Sequence, residues 1–426
     1  MLTNRLESLS SPRREKPLPL FADLEMPQMN DAHTRLTDVF HDVFDDDSLV
    51  LSKEMTANDV ENWDSLTHIN LIVAIEKEFR VRYRIDDVLQ EQEPPPRELK
   101  AAIISRLKLM ARLNIAERRL PQDGRIKVKT LGREVDLRVS TLPTLYGESV
   151  VMRLLDRSAS DFYDLHNLGF DPLMLERMEH FTSLPHGIFL VTGPTGSGKS
   201  TTLYSALKLI NQPDKKIITI EDPVEYQMDG INQIHVNPQI GLTFAAGLRH
   251  IVRQDPDVIM VGEIRDRETA DVAIRAALTG HFVYSTLHTN DAPSAITRLT
   301  DMGVENYLIS SSVVAVLAQR LVRVICHECK VSAGERMTPM GEMVPSFRGA
   351  GCERCFGTGY KGRVGIFEMM ELDEDIRKLI MANADAGQLT VAARKHGMRS
   401  LREDGWLKVA TGVTTADEVI RVTQEF

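Results

Sequence analysis

Eight consecutive residues, Gly193-Pro194-Thr195-Gly196-Ser197-Gly198-Lys199-Ser200, constrain this chain more than any other feature. The run before them, Ile188-Phe189-Leu190-Val191, reads as a buried strand, and Thr202 to Ile210 reads as a helix. A glycine-rich turn between strand and helix, ending in Lys-Ser, suits one task. Its backbone N–H groups close around phosphate oxygens, and the helix N-terminus adds a field that favours the anion. In that arrangement Lys199 reaches the outer phosphates of a nucleotide, and the Ser200 hydroxyl, with Thr201 beside it, faces Mg²⁺. The complete pattern in this context sets it apart from a glycine-rich turn that binds nothing.

Three further apolar runs, Ile217 to Ile220, Val258 to Val261 and Phe282 to Ser285, read as short strands. Continuous apolar strands separated by helices predict a parallel sheet covered on both faces. Ligands of such sheets bind at the carboxyl ends of the strands. Glu263 follows Val261 there and can hold Mg²⁺ through water or orient an attacking water; a strand-end acid facing solvent has the same pattern. Glu221-Asp222-Pro223-Val224-Glu225 follows Ile220 and offers acids able to act as a base, or simply a solvated turn begun at Asp-Pro. His288 ends another strand, where a contact to a γ-phosphate and a structural role are both open.

All four cysteines lie in two pairs, Cys326-His327-Glu328-Cys329 and Cys352-Glu353-Arg354-Cys355. Each pair can form one knuckle, and two knuckles complete a tetrahedral zinc site with no open position, hence a structural one. The chain is 42% hydrophobic and carries a net charge of −10. Between Asp31 and Asp64 stand ten acidic and two basic residues, so this block accounts for −8 of that total. No basic excess points to nucleic acid. No run is long and apolar enough to span a membrane; Leu308 to Ile325 is interrupted by serines, Gln319, Arg320 and Arg323. The basic residues Arg13, Arg14 and Lys16 precede prolines rather than an apolar core, unlike a signal peptide. A cytoplasmic protein is expected.

Residues 1–29, rich in proline, serine and charge, read as a flexible tail, and residues 30–80 as an acidic helical segment. Val81 to Ile85 reads as a strand, Leu99 to Leu113 as a helix, and three runs between Arg125 and Leu154 as a strand meander. Residues 81–160 thus form a small α+β domain, and 161–426 the larger α/β domain, mostly helical at its end, with the cysteine module at 326–355.

From about residue 81 onward the chain resembles the type II/IV secretion ATPase family, the general secretion pathway protein E and its pilus-extension relatives. The likeness runs through Leu120-Pro121-Gln122-Asp123-Gly124-Arg125, Leu137 to Thr144, the glycine loop, the acids from Glu221 to Tyr226, Glu263, His288, Gln319-Arg320-Leu321, the cysteine pairs and Gly357-Thr358-Gly359-Tyr360. It implies a P-loop (RecA-like) core that hydrolyses ATP with Mg²⁺, Glu263 as the essential acid, Glu221 as a candidate base and His288 as a γ-phosphate contact. It further implies that Arg125, Arg138 and Arg153 approach the phosphates from the smaller domain. A homo-hexameric ring at the cytoplasmic face of the inner membrane, working with membrane platform proteins, is implied by the same likeness. The cysteine pairs set the chain apart from the retraction subclass.

Residues 30–80 resemble instead an acyl carrier protein, through Trp63-Asp64-Ser65-Leu66-Thr67-His68-Ile69 and the acidic run before it. That likeness implies 4'-phosphopantetheine on Ser65, although Asp64-Ser65 is equally an ordinary helix cap. The pattern passes into the ATPase-like sequence at Val81, as a fusion would, with the usual N-terminal docking domain of the motors missing. An acyl-carrier-type module on a truncated, inactive ATPase is the alternative reading.

Overall fold

The computed structural model describes residues 83–85, 88–90, 99–130, 133–145, 147–156 and 163–424. The tail, the acidic segment with Ser65 and the junction at Val81 lie outside the described residues. Two three-residue strands, β1 (Tyr83–Ile85) and β2 (Val88–Gln90), come first. The chain divides into two compact units: the smaller takes in Leu89–Leu154, and the larger runs from Leu155 onward and also includes Arg84–Val88.

The smaller unit holds helix α1 (Lys100–Met110) and a sheet of β3 (Gln122–Thr130), β4 (Arg133–Thr144) and β5 (Gly147–Asp156) in that order. Strands β3 and β4 are antiparallel, with Ile126 opposite Leu137. Alternate residues Ile126, Val128 and Val139 bury their side chains with Leu107 and Ala111 from the helix side. The helix stops before the expected Leu113 because Arg112 takes a left-handed conformation, φ +58°. Lys108, 1% exposed, is neutralised by Glu148 and donates to the Glu117 carbonyl at 2.7 Å.

The larger unit is built on a seven-stranded sheet. Its strands are β6 (Gly187–Thr192), β7 (Ile217–Glu221), β8 (Asn232–His235), β9 (Val258–Val261), β10 (Phe282–Leu287), β11 (Val313–Ile325) and β14 (Tyr360–Glu371). Their spatial order is β14-β11-β6-β10-β9-β7-β8. All neighbours are parallel except β14, which runs antiparallel to β11.

Strand β6 shows why the sheet is covered twice. Ile188 and Leu190 enter one apolar cluster, and Phe189 and Val191 enter another on the opposite face. The Phe189 side is closed by α2 (Pro172–Thr182) and α3 (Lys199–Ile210). The Ile188 side is closed by α4 (Phe244–Ile251), α5 (Arg267–Leu278), α6 (Pro293–Asp301) and α7 (Asn306–Ser312). The terminal helices α8 (Glu374–Met381), α9 (Ala386–Lys395), α10 (Leu401–Ala410) and α11 (Ala416–Thr423) extend that layer.

The expected helical end of the chain is present. Helices fill 374–423, and β11 and β14 supply a long antiparallel edge just before them. Leu308 to Ile325 is the end of α7 followed by β11, and no helix among the described residues is long and apolar enough to cross a membrane. Between those edge strands the chain makes a hairpin of β12 (Lys330–Met337) and β13 (Met343–Gly349).

Phe367 on β14 is fully buried and stacks on Phe170 with centroids 4.0 Å apart. Phe367→Ala is expected to cost about 3–5 kcal/mol of unfolding free energy. A denaturant titration checks this; a loss below about 1 kcal/mol would mean that the site collapses freely onto the gap.

Candidate active site

Parallel strands flanked by helices leave their polar groups at the carboxyl edge, and four adjacent strands end there together. Strand β6 runs into the glycine loop, β10 into His288, β9 into Gly262 and Glu263, and β7 ends on Glu221. Register keeps the ends level: Leu287 stands beside Thr192, Ser285 beside Val261, and Ile220 beside Val261. Hydroxyls tie them. Thr192 Oγ1 accepts from the Thr289 amide at 2.9 Å, and Thr286 Oγ1 donates to the Gly262 carbonyl at 2.7 Å.

The loop turns at Gly193, φ +148°, and enters the helix through Gly198, φ +90°. A Cβ at Gly193 would lie 2.4 Å from the Gln319 carbonyl oxygen, so this position is closed to any other residue. No side chain caps α3, and its N-terminus opens into the loop. Pro194, Thr195, Gly196 and Ser200 are exposed, while Ser197 is buried with a hydroxyl that has no hydrogen-bond partner among the described residues. Lys199 folds back, donating to the Gly193 carbonyl at 2.7 Å and the Pro194 carbonyl at 3.0 Å. Burial pulls its ammonium down to about 8, against the opposing pull of the Glu263 charge.

Glu263 is nearly buried. One oxygen pairs with Arg265 at 2.6 Å. The other faces His288 Nε2 at 3.4 Å and accepts no hydrogen bond among the described residues. His288 is held below its ordinary imidazole range, first by burial and then by the Lys199 charge. Lys199, Glu263 and His288 therefore form one electrostatic cluster beside the loop.

Glu221 is placed differently. It is 4% exposed and accepts from the Thr219 hydroxyl at 2.6 Å, from Gln233 Nε2 at 3.2 Å and from the Tyr204 hydroxyl. Burial pushes its carboxyl up despite these donors. Tyr204 lies on α3, so Glu221 is linked to the helix that follows the glycine loop.

Arg125 and Arg138 stand directly opposite each other on β3 and β4, and Arg153 lies on β5, all in the smaller unit. Sequence reasoning assigned no role to Gln319, Arg265 or Tyr204. Gln319 belongs to the Gln-Arg-Leu triplet of the family likeness, but its contact with Thr202 spans 117 residues of sequence and nothing in the spacing announces it.

The four cysteines come together as expected. Cys326 and Cys352 sulfurs are 3.8 Å apart, Cys329 and Cys355 3.8 Å, and Cys352 and Cys355 3.6 Å. All four sulfurs lie within 4.8 Å of one another, and none is in a disulfide. A tetrahedral zinc with bonds of about 2.3 Å separates its sulfurs by roughly 3.8 Å, so the cluster fits that ion. Amides of Cys352 and Gly359 point at Cys355 Sγ at 3.2 and 3.3 Å. Burial raises this thiol, and the amide donors outweigh that effect and bring it down to about 6.

A mixed α/β fold with these features along one sheet edge has a match among known families. The chain belongs to the Type II/IV secretion system protein family, whose model matches residues 51–421. That match begins ahead of Val81, inside the carrier-like segment. Type II secretion system protein E of Xanthomonas campestris pv. campestris is 54% identical over 368 residues, 83% of this chain and 64% of that protein. Type IV pilus assembly ATPase PilB of Thermus thermophilus is 53% identical over 359 residues, 82% of this chain and 40% of that one. The chain thus spans less than two thirds of either relative. Among solved structures, the pilus retraction motor PilT with bound ADP aligns with TM-score 0.58 and 26% identity, over 83% of this chain and 96% of PilT.

Proposed function

We propose that the chain is an ATP-hydrolysing motor subunit of a type II secretion or type IV pilus assembly machine, with a P-loop (RecA-like) core. The observation that carries this is the convergence of the glycine loop, Lys199, Glu263 and His288 at one sheet edge. Relatives about half identical in sequence bear names of secretion protein E and of a pilus assembly ATPase.

In this reading the amides of residues 193–198 and the start of α3 cradle the phosphates, with Thr201 beside them. Lys199 exchanges its two loop carbonyls for phosphate oxygens. Ser200 would hold Mg²⁺, which would neutralise phosphate charge. Glu263 offers the carboxylate oxygen that accepts no hydrogen bond among the described residues, and orients the attacking water. His288, whose protonation burial and the Lys199 charge disfavour, is placed to contact the γ-phosphate. Glu221, which sequence reasoning placed as a base, has its carboxylate engaged by three donors. Its role is to hold the helix after the glycine loop through Tyr204. A hexameric ring, docking on inner-membrane platform proteins and a cytoplasmic location follow from kinship with the secretion motors.

Lys199→Ala should abolish measurable ATP turnover, and Glu263→Gln should lower it by about 10²–10⁴-fold. A wild-type steady-state rate equal to that of the two variants would sink the enzyme reading. Because burial brings Lys199 down to about 8, its charge is present below that pH and lost above it. ADP affinity, measured by calorimetry one pH unit below and one above, should therefore weaken at the higher pH; a flat profile would show that the lysine charge is not used.

Cys326, Cys329, Cys352 and Cys355 would hold a structural zinc, tying the chain before β12 to the chain after β13. Metal analysis should find about one zinc per chain, reduced by Cys355→Ser. A wild-type content far below one counts against the assignment.

A further inference from the structure

Gln319 is 3% exposed, on the strand that neighbours β6, one residue past the pair formed by Ala318 and Thr192. Its place is therefore beside the first residue of the glycine loop. One hydrogen bond and two close approaches place it there. Its side-chain Oε1 accepts from Thr202 Oγ1 on α3 at 2.7 Å. Its carbonyl oxygen would lie 2.4 Å from a Cβ on Gly193. Its Nε2 would lie 2.7 Å from a Cβ on Gly198. One residue thus touches the first turn of the loop, the last, and the helix that follows.

The next residue along the strand reaches elsewhere. Arg320 donates to the Val422 carbonyl on α11 at 2.8 Å and to Asn290 Oδ1 at 3.2 Å. Asn290 lies two residues beyond His288. Consecutive residues of β11 therefore secure the glycine loop and the His288 loop, and the second of them is anchored to the last helix.

We infer that Gln319 is a positioning residue for the phosphate-binding loop, holding both ends of 193–198 in the shape that receives phosphate before any nucleotide arrives. The physical reason is entropic. A six-residue loop with three left-handed glycines has a wide choice of conformations, and each must be given up on binding unless the fold has already removed it. A buried residue that approaches Gly193 with its backbone carbonyl and Gly198 with its side-chain amide, and is bonded to the helix, removes that freedom in advance. The inference rests on the nucleotide-site reading for its consequence, though not for its geometry.

Amide hydrogen exchange of Gly196, Ser197 and Gly198 in the nucleotide-free chain tests the geometry, and ADP affinity tests the consequence. Gln319→Leu and the near-isosteric Thr202→Val each remove one partner of the same hydrogen bond. Each should speed loop exchange about tenfold and weaken ADP about tenfold, as loss of one buried hydrogen bond implies. The double variant should be no worse than the more damaging single one. Unchanged exchange in both single variants overturns the inference, as do effects that multiply in the double variant. A wild-type chain that fails to bind ADP, while the variants still loosen the loop, would overturn the nucleotide reading and leave the positioning role standing.

Discussion

Burial of the parallel strands on both faces is the constraint on which the rest of this structure depends. The side chains of β6 and β10 are fully covered, and the hydroxyls of Thr192, Ser285 and Thr286 are taken up by backbone partners within the sheet edge, so these strands have nowhere to carry function along their length. Chemistry is confined to the residues just past their ends. Parallel direction then brings the glycine loop, Glu263 and His288 to one edge, because each comes directly after a strand whose neighbours end level with it.

At that edge the low exposure of the cluster works on charge as well as on packing. Lys199 is turned inward to loop carbonyls and gives up part of its affinity for protons, while Glu263 holds some of it back. Such a lysine is held at a desolvation cost that a nearby negative charge offsets, as Glu263 does in part. The Arg265 pair leaves only one Glu263 oxygen open, on the side of His288. An acid with one oxygen fixed and one open has a defined direction, which a solvated strand-end carboxylate lacks. Glu221 has a different setting: buried and accepting three hydrogen bonds, it links β7 to the helix after the glycine loop.

The edge formed by β11 and β14 joins the two special sites of the larger unit. Strand β11 carries Gln319 and Arg320 in its middle and runs directly into Cys326 at its end, and β14 leaves the second cysteine pair and returns along it. The terminal helices lock onto the same strands. Asp404, 1% exposed, accepts from the Phe367 amide at 3.0 Å and from Lys408 Nζ at 2.6 Å, and Glu418 is buried against Arg323 and Arg421. These buried ion pairs fix geometry more than they add stability.

Local pattern by itself determined the strands around 188–191, 217–220, 258–261 and 282–285, the glycine loop with its lysine, and the cysteine pairs. Each is written in consecutive residues: an apolar run long enough for one strand, a turn that only glycine tolerates, ligands at knuckle spacing. The meander of the smaller unit was legible for the same reason. The folded chain alone decided which candidates share a site. Glu263, His288 and Lys199 meet because strand order places β10 between β6 and β9, and strand order is set by the packing of helices far apart in sequence. The same packing joined Glu221 to Tyr204 and set Gln319 beside the loop across more than a hundred residues, contacts for which no local pattern exists.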